Sequence, residues 1–130
     1  MKRNLSILIA CICAISLSAQ SAGINFLHGV TWTEAVTKAK AENKLIFIDF
    51  YTQWCGPCMK LLPVMEQLAA KYKDQVIFLK VNADKEKELC NKFNISALPT
   101  LFFLPVNGKP IVEIGAAPTT YEKIIEQLLK

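Results

Sequence analysis

Histidine is almost missing from this chain of 130 residues; His28 is the only one. Cysteine is thinly spread too. Of the five, Cys55 and Cys58 alone stand at the Cys-x-x-Cys spacing after which a helix begins, and no second pair of that kind partners them downstream. A tetrahedral zinc site wants four nitrogen or sulfur ligands, and outside the amino-terminal apolar stretch only Cys90 and His28 could complete one. The same scarcity excludes a disulfide scaffold, which needs a larger and even set of cysteines. Charge is nowhere concentrated. The net value of +4 comes without a basic run or patch, so nucleic acid is not an expected partner. Low-complexity linkers and internal repeats are absent, which leaves a single ordinary domain with one core.

The amino terminus has a different character. Met1-Lys2-Arg3-Asn4 is short and positive, Leu5 to Leu17 is apolar apart from small serines, and Ser16, Ser18, Ala19 and Ala22 offer small side chains for cleavage. This is the build of a secretory signal peptide, too short to cross a bilayer comfortably. The expected organisation is a leader over residues 1–22, cut between Ser18 and Gly23, and a domain over residues 23–130. A competing reading takes Leu8-Ile9-Ala10-Cys11 as a lipobox, with a lipoprotein anchored through Cys11, but the apolar run continues well past it. Loss of the leader removes Cys11 and Cys13, leaving Cys55, Cys58 and Cys90.

The chain is organised around Asp49-Phe50-Tyr51-Thr52-Gln53-Trp54-Cys55-Gly56-Pro57-Cys58. An apolar run, Leu45 to Tyr51, precedes the cysteines and is rich in strand formers; a segment of helical periodicity follows them. Gly56 permits a tight approach, and Pro57 suits the first helical turn, where its missing N–H is not needed. The unpaired N–H groups of that turn favour a thiolate at Cys55, and the thiolate is the nucleophile of disulfide exchange. Cys58, inside the turn, is expected to be the more shielded sulfur and Cys55 the exposed one. Asp49 lies within an apolar run where an ionised carboxylate is costly, which makes it a candidate proton carrier. Trp54 is expected to form a surface lid beside the nucleophile.

Around this stretch the elements follow in order. Ile24-Asn25-Phe26 is a short candidate strand. A helix is expected from a capping box at Thr31 and Glu34, with Val30 packed on Ala35, to about Asn43. The helix from Pro57 carries Leu61, Leu62, Met65, Leu68, Ala69 and Tyr72 on one face, with Pro63 inside it. Val76–Asn82 reads as a strand buried on both faces. Asp84 is expected to cap a helix over Lys85 to Phe93, where Cys90 reads as a small buried hydrophobe. Leu101 to Leu104 and Ile111 to Ile114 form a hairpin about Asn107-Gly108. Thr119 with Glu122 is expected to cap a last helix showing Tyr121, Ile124, Ile125, Leu128 and Leu129 on one face. The class is α/β, a mixed central sheet with helices on both faces.

The strand, the Trp-Cys-Gly-Pro-Cys sequence and the following helix resemble the active site of the thioredoxin superfamily, and the resemblance covers nearly all of residues 23–130. It implies the thioredoxin fold. It also implies that Asp49 is the family's buried aspartate, that Lys80 is the lysine on the neighbouring strand, and that Leu98-Pro99-Thr100 is the loop whose proline is cis. Gly115 matches a glycine near the end of the last strand, and Pro63 a proline of the second helix. Lys80 admits two readings, an exposed charge or the partner of Asp49. The leading helix and the Lys44-to-Asp49 spacing are closer to exported members, including the terminal domain of the transmembrane disulfide reductase. Met59 stands where the family usually has a basic residue, with Lys60 one step later, and the hairpin loop is longer. Both departures bear on partner specificity.

The resemblance implies thiol–disulfide exchange in an exported protein: Gly56-Pro57 between the cysteines resembles the reducing members, with Cys55 and Cys58 as a redox disulfide, Asp49 and Lys80 assisting, and Trp54, Gly56, Pro57, Leu98 and Pro99 contacting substrate. Expected partners are proteins bearing disulfides and a dithiol electron donor, in the bacterial periplasm a membrane reductase. A monomer is expected, and no cofactor or metal. Two rival readings stay open: a non-catalytic binding or assembly module, and a metallochaperone using Cys55, Cys58 and Cys90.

Overall fold

Apolar, β-branched and aromatic residues without polar alternation form β1 (Leu45–Tyr51) and β2 (Val76–Asn82) in a computed structural model that describes residues 32–130. β1 runs parallel to β2 and antiparallel to β3 (Thr100–Leu104), which in turn pairs antiparallel with β4 (Ile111–Ile114). The order across the sheet is β2-β1-β3-β4. Among the described residues four helices accompany it: α1 (Trp32–Glu42), α2 (Gly56–Lys71), α3 (Lys87–Lys92) and α4 (Pro118–Leu128). The mixed sheet and its flanking helices agree with the class read from the sequence. The expected leader, the lipobox cysteine Cys11, the strand at Ile24-Asn25-Phe26, and Thr31 with Val30 lie outside the described residues.

Because side chains alternate along β1, its residues divide between two cores. Leu45 and Phe47 face α2 and α4, packing with Leu61, Met65, Leu68, Ala69, Tyr121 and Ile125. Ile46, Ile48 and Phe50 face the opposite way, toward Ala39 of α1 and the half-buried Leu89, Cys90 and Phe93. Phe47 is fully buried, with its ring 4.5 Å from that of Phe103 in an edge-on contact. Burying a side chain of this size stabilises the fold by roughly 1.5–3 kcal/mol. By parity Asp49 and Tyr51 belong to the α2 side of the sheet, and this places them under the helix that carries Cys58.

The ends of the elements show where sequence signals competed. α1 stops one residue before Asn43, which takes φ 51, a left-handed stop that asparagine tolerates. Asp84 does not cap α3. That helix starts later, with Glu86 at its N-cap and no side-chain cap, while the Asp84 backbone N–H donates to Oδ1 of Asn82 at 3.0 Å. Asn82 forms an Asx turn there, which competes with helix initiation. Thr119 does not cap α4 either. Ala117 holds the N-cap and Pro118 takes the first turn, so proline geometry prevails over the capping-box pattern. The Ala117 backbone N–H donates instead to the buried Tyr121 hydroxyl at 2.9 Å.

Glu122, freed from capping, ties α4 to α2. It accepts from Lys71 Nζ and from the Tyr72 hydroxyl, which also donates to Glu126. Tyr72→Phe removes the hydroxyl's contacts with Glu122 and Glu126 without opening a cavity and leaves the Lys71–Glu122 pair in place. It is expected to lower stability by about 1 kcal/mol, measured by urea denaturation at neutral pH.

Candidate active site

β1 delivers the chain to Thr52, and a short turn then brings Cys55 to the N-cap of α2. Cys55 is extended, with φ −85 and ψ 106, and its Sγ accepts the Cys58 backbone N–H at 3.3 Å. The sulfur thus occupies the place a serine or aspartate oxygen takes in an ordinary cap. Pro57 occupies the first turn as expected, where no backbone donor is lost. Cys55 and Cys58 are joined by a disulfide, with Cα atoms 5.2 Å apart. When the bond is reduced, the same N–H and the positive end of α2 favour a thiolate at Cys55.

Cys55 is less open than the sequence reading expected: it is 7% exposed, and Cys58 is wholly buried. The order of access is nonetheless the expected one, since Cys55 alone of the pair presents any surface. Trp54 is 73% exposed and stands over the site, its Nε1 donating to Oδ2 of Asp84 at 2.8 Å. Asp84, expected to be a helix cap, is thus the tether of the tryptophan. The sequence carried no signal for this contact between residues thirty apart.

The Leu98-Pro99 peptide bond is cis, and Pro99 is buried beside the half-buried Leu98. Its carbonyl accepts the Gly115 backbone N–H at 2.9 Å, which draws the end of β4 against this loop. Gly115 adopts φ +87, a conformation that an L side chain rarely takes. The residue before it, Ile114, pairs with Thr100 next to Pro99 and is 67% exposed, an apolar side chain whose strand pattern carries no signal of that position.

A groove of about 670 Å³ opens beside the disulfide. It is lined by Trp54, Cys55, Gly56 and Pro57 on one side, by Asp84, Lys87 and Cys90 from the α3 region, and by Ser96, Ala97 and Leu98. Cys90 is therefore not simply core. It is half-buried and free, its Sγ 4.0 Å from the Ala83 carbonyl, and burial pushes its thiol up from the ordinary range. Among the described residues no group of three or more His, Cys, Asp or Glu side chains is placed to hold a metal ion.

Behind the disulfide, Asp49 is completely buried, and neither carboxylate oxygen has a hydrogen-bond partner among the described residues. Burial pushes its pKa from 3.8 up to about 6, against the opposing pull of the Lys80 charge. Asp49 and Lys80 are directly opposite in the parallel register of β1 and β2, so the sheet itself brings the two together. Desolvation in turn lowers the Lys80 pKa, while Asp49 and Glu66 raise it. A carboxyl that titrates near 6 can exchange a proton with a thiol close to neutral pH.

The chain that builds this site has relatives among known proteins. The thioredoxin family profile matches residues 24–130. The chain belongs to the thioredoxin family. It is 44% identical over 80 residues to a thioredoxin of Borreliella burgdorferi, a match covering 61% of this chain and 68% of that protein. With thioredoxin H2 of Arabidopsis thaliana it shares 35% identity over 112 residues, 85% of this chain and 83% of the relative. With Drosophila melanogaster thioredoxin-T it shares 37% identity over 89 residues, 67% of this chain and 55% of that protein's length. The crystal structure of thioredoxin NaTrxh from Nicotiana alata superimposes with a TM-score of 0.72 at 33% identity, covering 82% of this chain and 93% of that one. The fold is the thioredoxin fold, and the chemistry of the Cys55–Cys58 pair is that of a thiol–disulfide oxidoreductase.

Proposed function

We propose that this thioredoxin-family protein reduces protein disulfides after export from the cytoplasm, working as a monomer. The observation that carries the reading is the Cys55–Cys58 disulfide at the start of α2, where Cys55 keeps a small accessible edge and Cys58 is wholly buried. In the forward cycle the Cys55 thiolate attacks one sulfur of a substrate disulfide, forming a mixed disulfide and releasing the first substrate thiolate. Cys58 then gives up its proton, with Asp49 as the acceptor, and attacks the Cys55 sulfur. The second substrate thiolate leaves, two electrons have passed to the substrate, and the Cys55–Cys58 disulfide remains. A dithiol donor returns the electrons by the same exchange in reverse.

Trp54, Gly56, Pro57 and Leu98 line the groove with Cys55 and supply the apolar contact for an extended substrate segment; the buried Pro99 acts through the loop it shapes, and the exposed Ile114 adds apolar surface. Export rests on the charged start and short apolar run of residues 1–22, and it makes a membrane reductase the donor in a bacterial periplasm. Fractionation of expressing cells with acid quenching and thiol alkylation tests both parts. Protein in the envelope fraction, shortened at its amino terminus, with Cys55 and Cys58 alkylated at steady state, is the expected result. Protein confined to the cytoplasm overturns export, and a fully oxidised pair in the envelope overturns the reducing direction.

A further inference from the structure

Lys80 enters the site from β2, and what fixes its flexible side chain decides how strongly it acts on Asp49. The half-buried Tyr51 ends β1, two residues beyond Asp49 and on the same face of the sheet. The Lys80 Nζ lies over the Tyr51 ring, 4.0 Å from its centroid. At that distance the face of the ring attracts the cation electrostatically. The carbon stem of Lys80 runs beneath α2, lining a small crevice with Met65, Ala69 and Phe78. The stem thus packs against apolar side chains while the head lies over the ring.

We propose that Tyr51 is a positioning residue, whose ring face keeps the Lys80 ammonium beside the Asp49 carboxylate. Without the ring, the ammonium gains freedom to turn toward water, where its charge is screened from the buried acid. Among the described residues the groups coupled to Asp49 are Lys80 from β2 and the Tyr121 hydroxyl from α4. Glu66 of α2 acts on Lys80, and Glu113 of β4 acts on Tyr121. Of these, Lys80 alone favours the ionised form of Asp49, and Tyr51 contacts Lys80. The functional meaning of the inference rests on the proposed role of Asp49, but the positioning itself can be measured apart from any redox activity.

The test is a ¹³C NMR titration of the Asp49 carboxyl carbon in the oxidised protein. Two ringless variants, Tyr51→Met and Tyr51→Leu, guard against a packing defect in either one. Both are expected to move the Asp49 midpoint upward, as Lys80→Met does, whereas Tyr51→Phe leaves it in place. In the Lys80→Met background, Tyr51→Met is expected to add nothing. An unmoved midpoint in the ringless variants overturns the inference, as does an equal rise in the Lys80→Met background. A rise in Tyr51→Phe overturns it too, since the hydroxyl rather than the ring face would then be responsible. An unchanged pH–rate profile for disulfide reduction in variants whose Asp49 midpoint has moved as expected would count against the Asp49 mechanism and leave the positioning intact.

Discussion

Replacing Cys58 by serine is expected to turn the protein into a covalent trap, and replacing Cys55 is expected to silence it. Cys55 caps α2 and has the exposed edge, whereas Cys58 is wholly buried within the first turn. The first attack on a substrate disulfide must come from the sulfur that can reach it and that the helix N-terminus holds as a thiolate. With Cys58→Ser that attack still occurs, but nothing releases the mixed disulfide, so adducts accumulate that reducing agent dissolves. Cys55→Ser forms none. Cys90→Ser is expected to trap nothing and to cycle as the unaltered protein does. Non-reducing gels of alkylated lysate, followed by mass spectrometry of the captured bands, read all three. Trapping by Cys55→Ser, or by neither single variant, would reverse or remove the assignment of nucleophile and resolving thiol.

The second large effect is expected from Asp49→Asn, in opposite directions for stability and for rate. In the folded protein the Asp49 pKa lies near 6, above its value of 3.8 in an open chain. The folded state therefore holds its proton more tightly, and ionising the group costs stability. That cost is absent below about pH 4, grows between there and about 6, and is complete at neutral pH. A separation of about two pKa units corresponds to a cost of roughly 2–3 kcal/mol. Asparagine keeps the shape and neutrality of the protonated acid, so the variant is expected to be the more stable protein at pH 7 by up to that amount. The two proteins converge below pH 4.

The rate moves the other way. A positioned base contributes about 10²-fold or more to a proton transfer, and asparagine cannot accept the Cys58 proton. Release of the mixed disulfide is expected to slow by about that factor near neutral pH, with the limb of the pH–rate profile due to Asp49 lost. Urea denaturation across pH and stopped-flow resolution kinetics check the two halves. A stability difference independent of pH contradicts the buried-acid account, and an unchanged pH–rate profile contradicts the relay.

Local signals wrote much of this into the sequence. β1 and β2 stand where their apolar runs begin and end, because strands covered on both faces tolerate few polar interruptions and their edges are sharp. The Cys-Gly-Pro-Cys turn was legible for a similar reason, since capping, proline placement and cysteine spacing all lie within a few residues. The helix starts at Asp84 and Thr119 were not, because two local patterns competed at each. An Asx turn at Asn82 displaced the first, and Pro118 displaced the second. What pattern could not reach was contact across the fold: Trp54 on Asp84, Lys80 on Tyr51, Cys90 along the groove, and Ile114 beside the Pro99 loop. Those depend on strand order and register, which no single stretch of the chain records.

The central claim is that Cys55 and Cys58 cycle as a catalytic dithiol, and reduction of insulin by dithiothreitol tests it most directly. Turbidity from the precipitating B chain is followed with the unaltered protein, with Cys55→Ser, and with dithiothreitol alone. The account predicts that the unaltered protein shortens the onset of precipitation markedly at substoichiometric concentration, while Cys55→Ser matches the reagent alone. Equal acceleration by Cys55→Ser, or none by the unaltered protein, would contradict it.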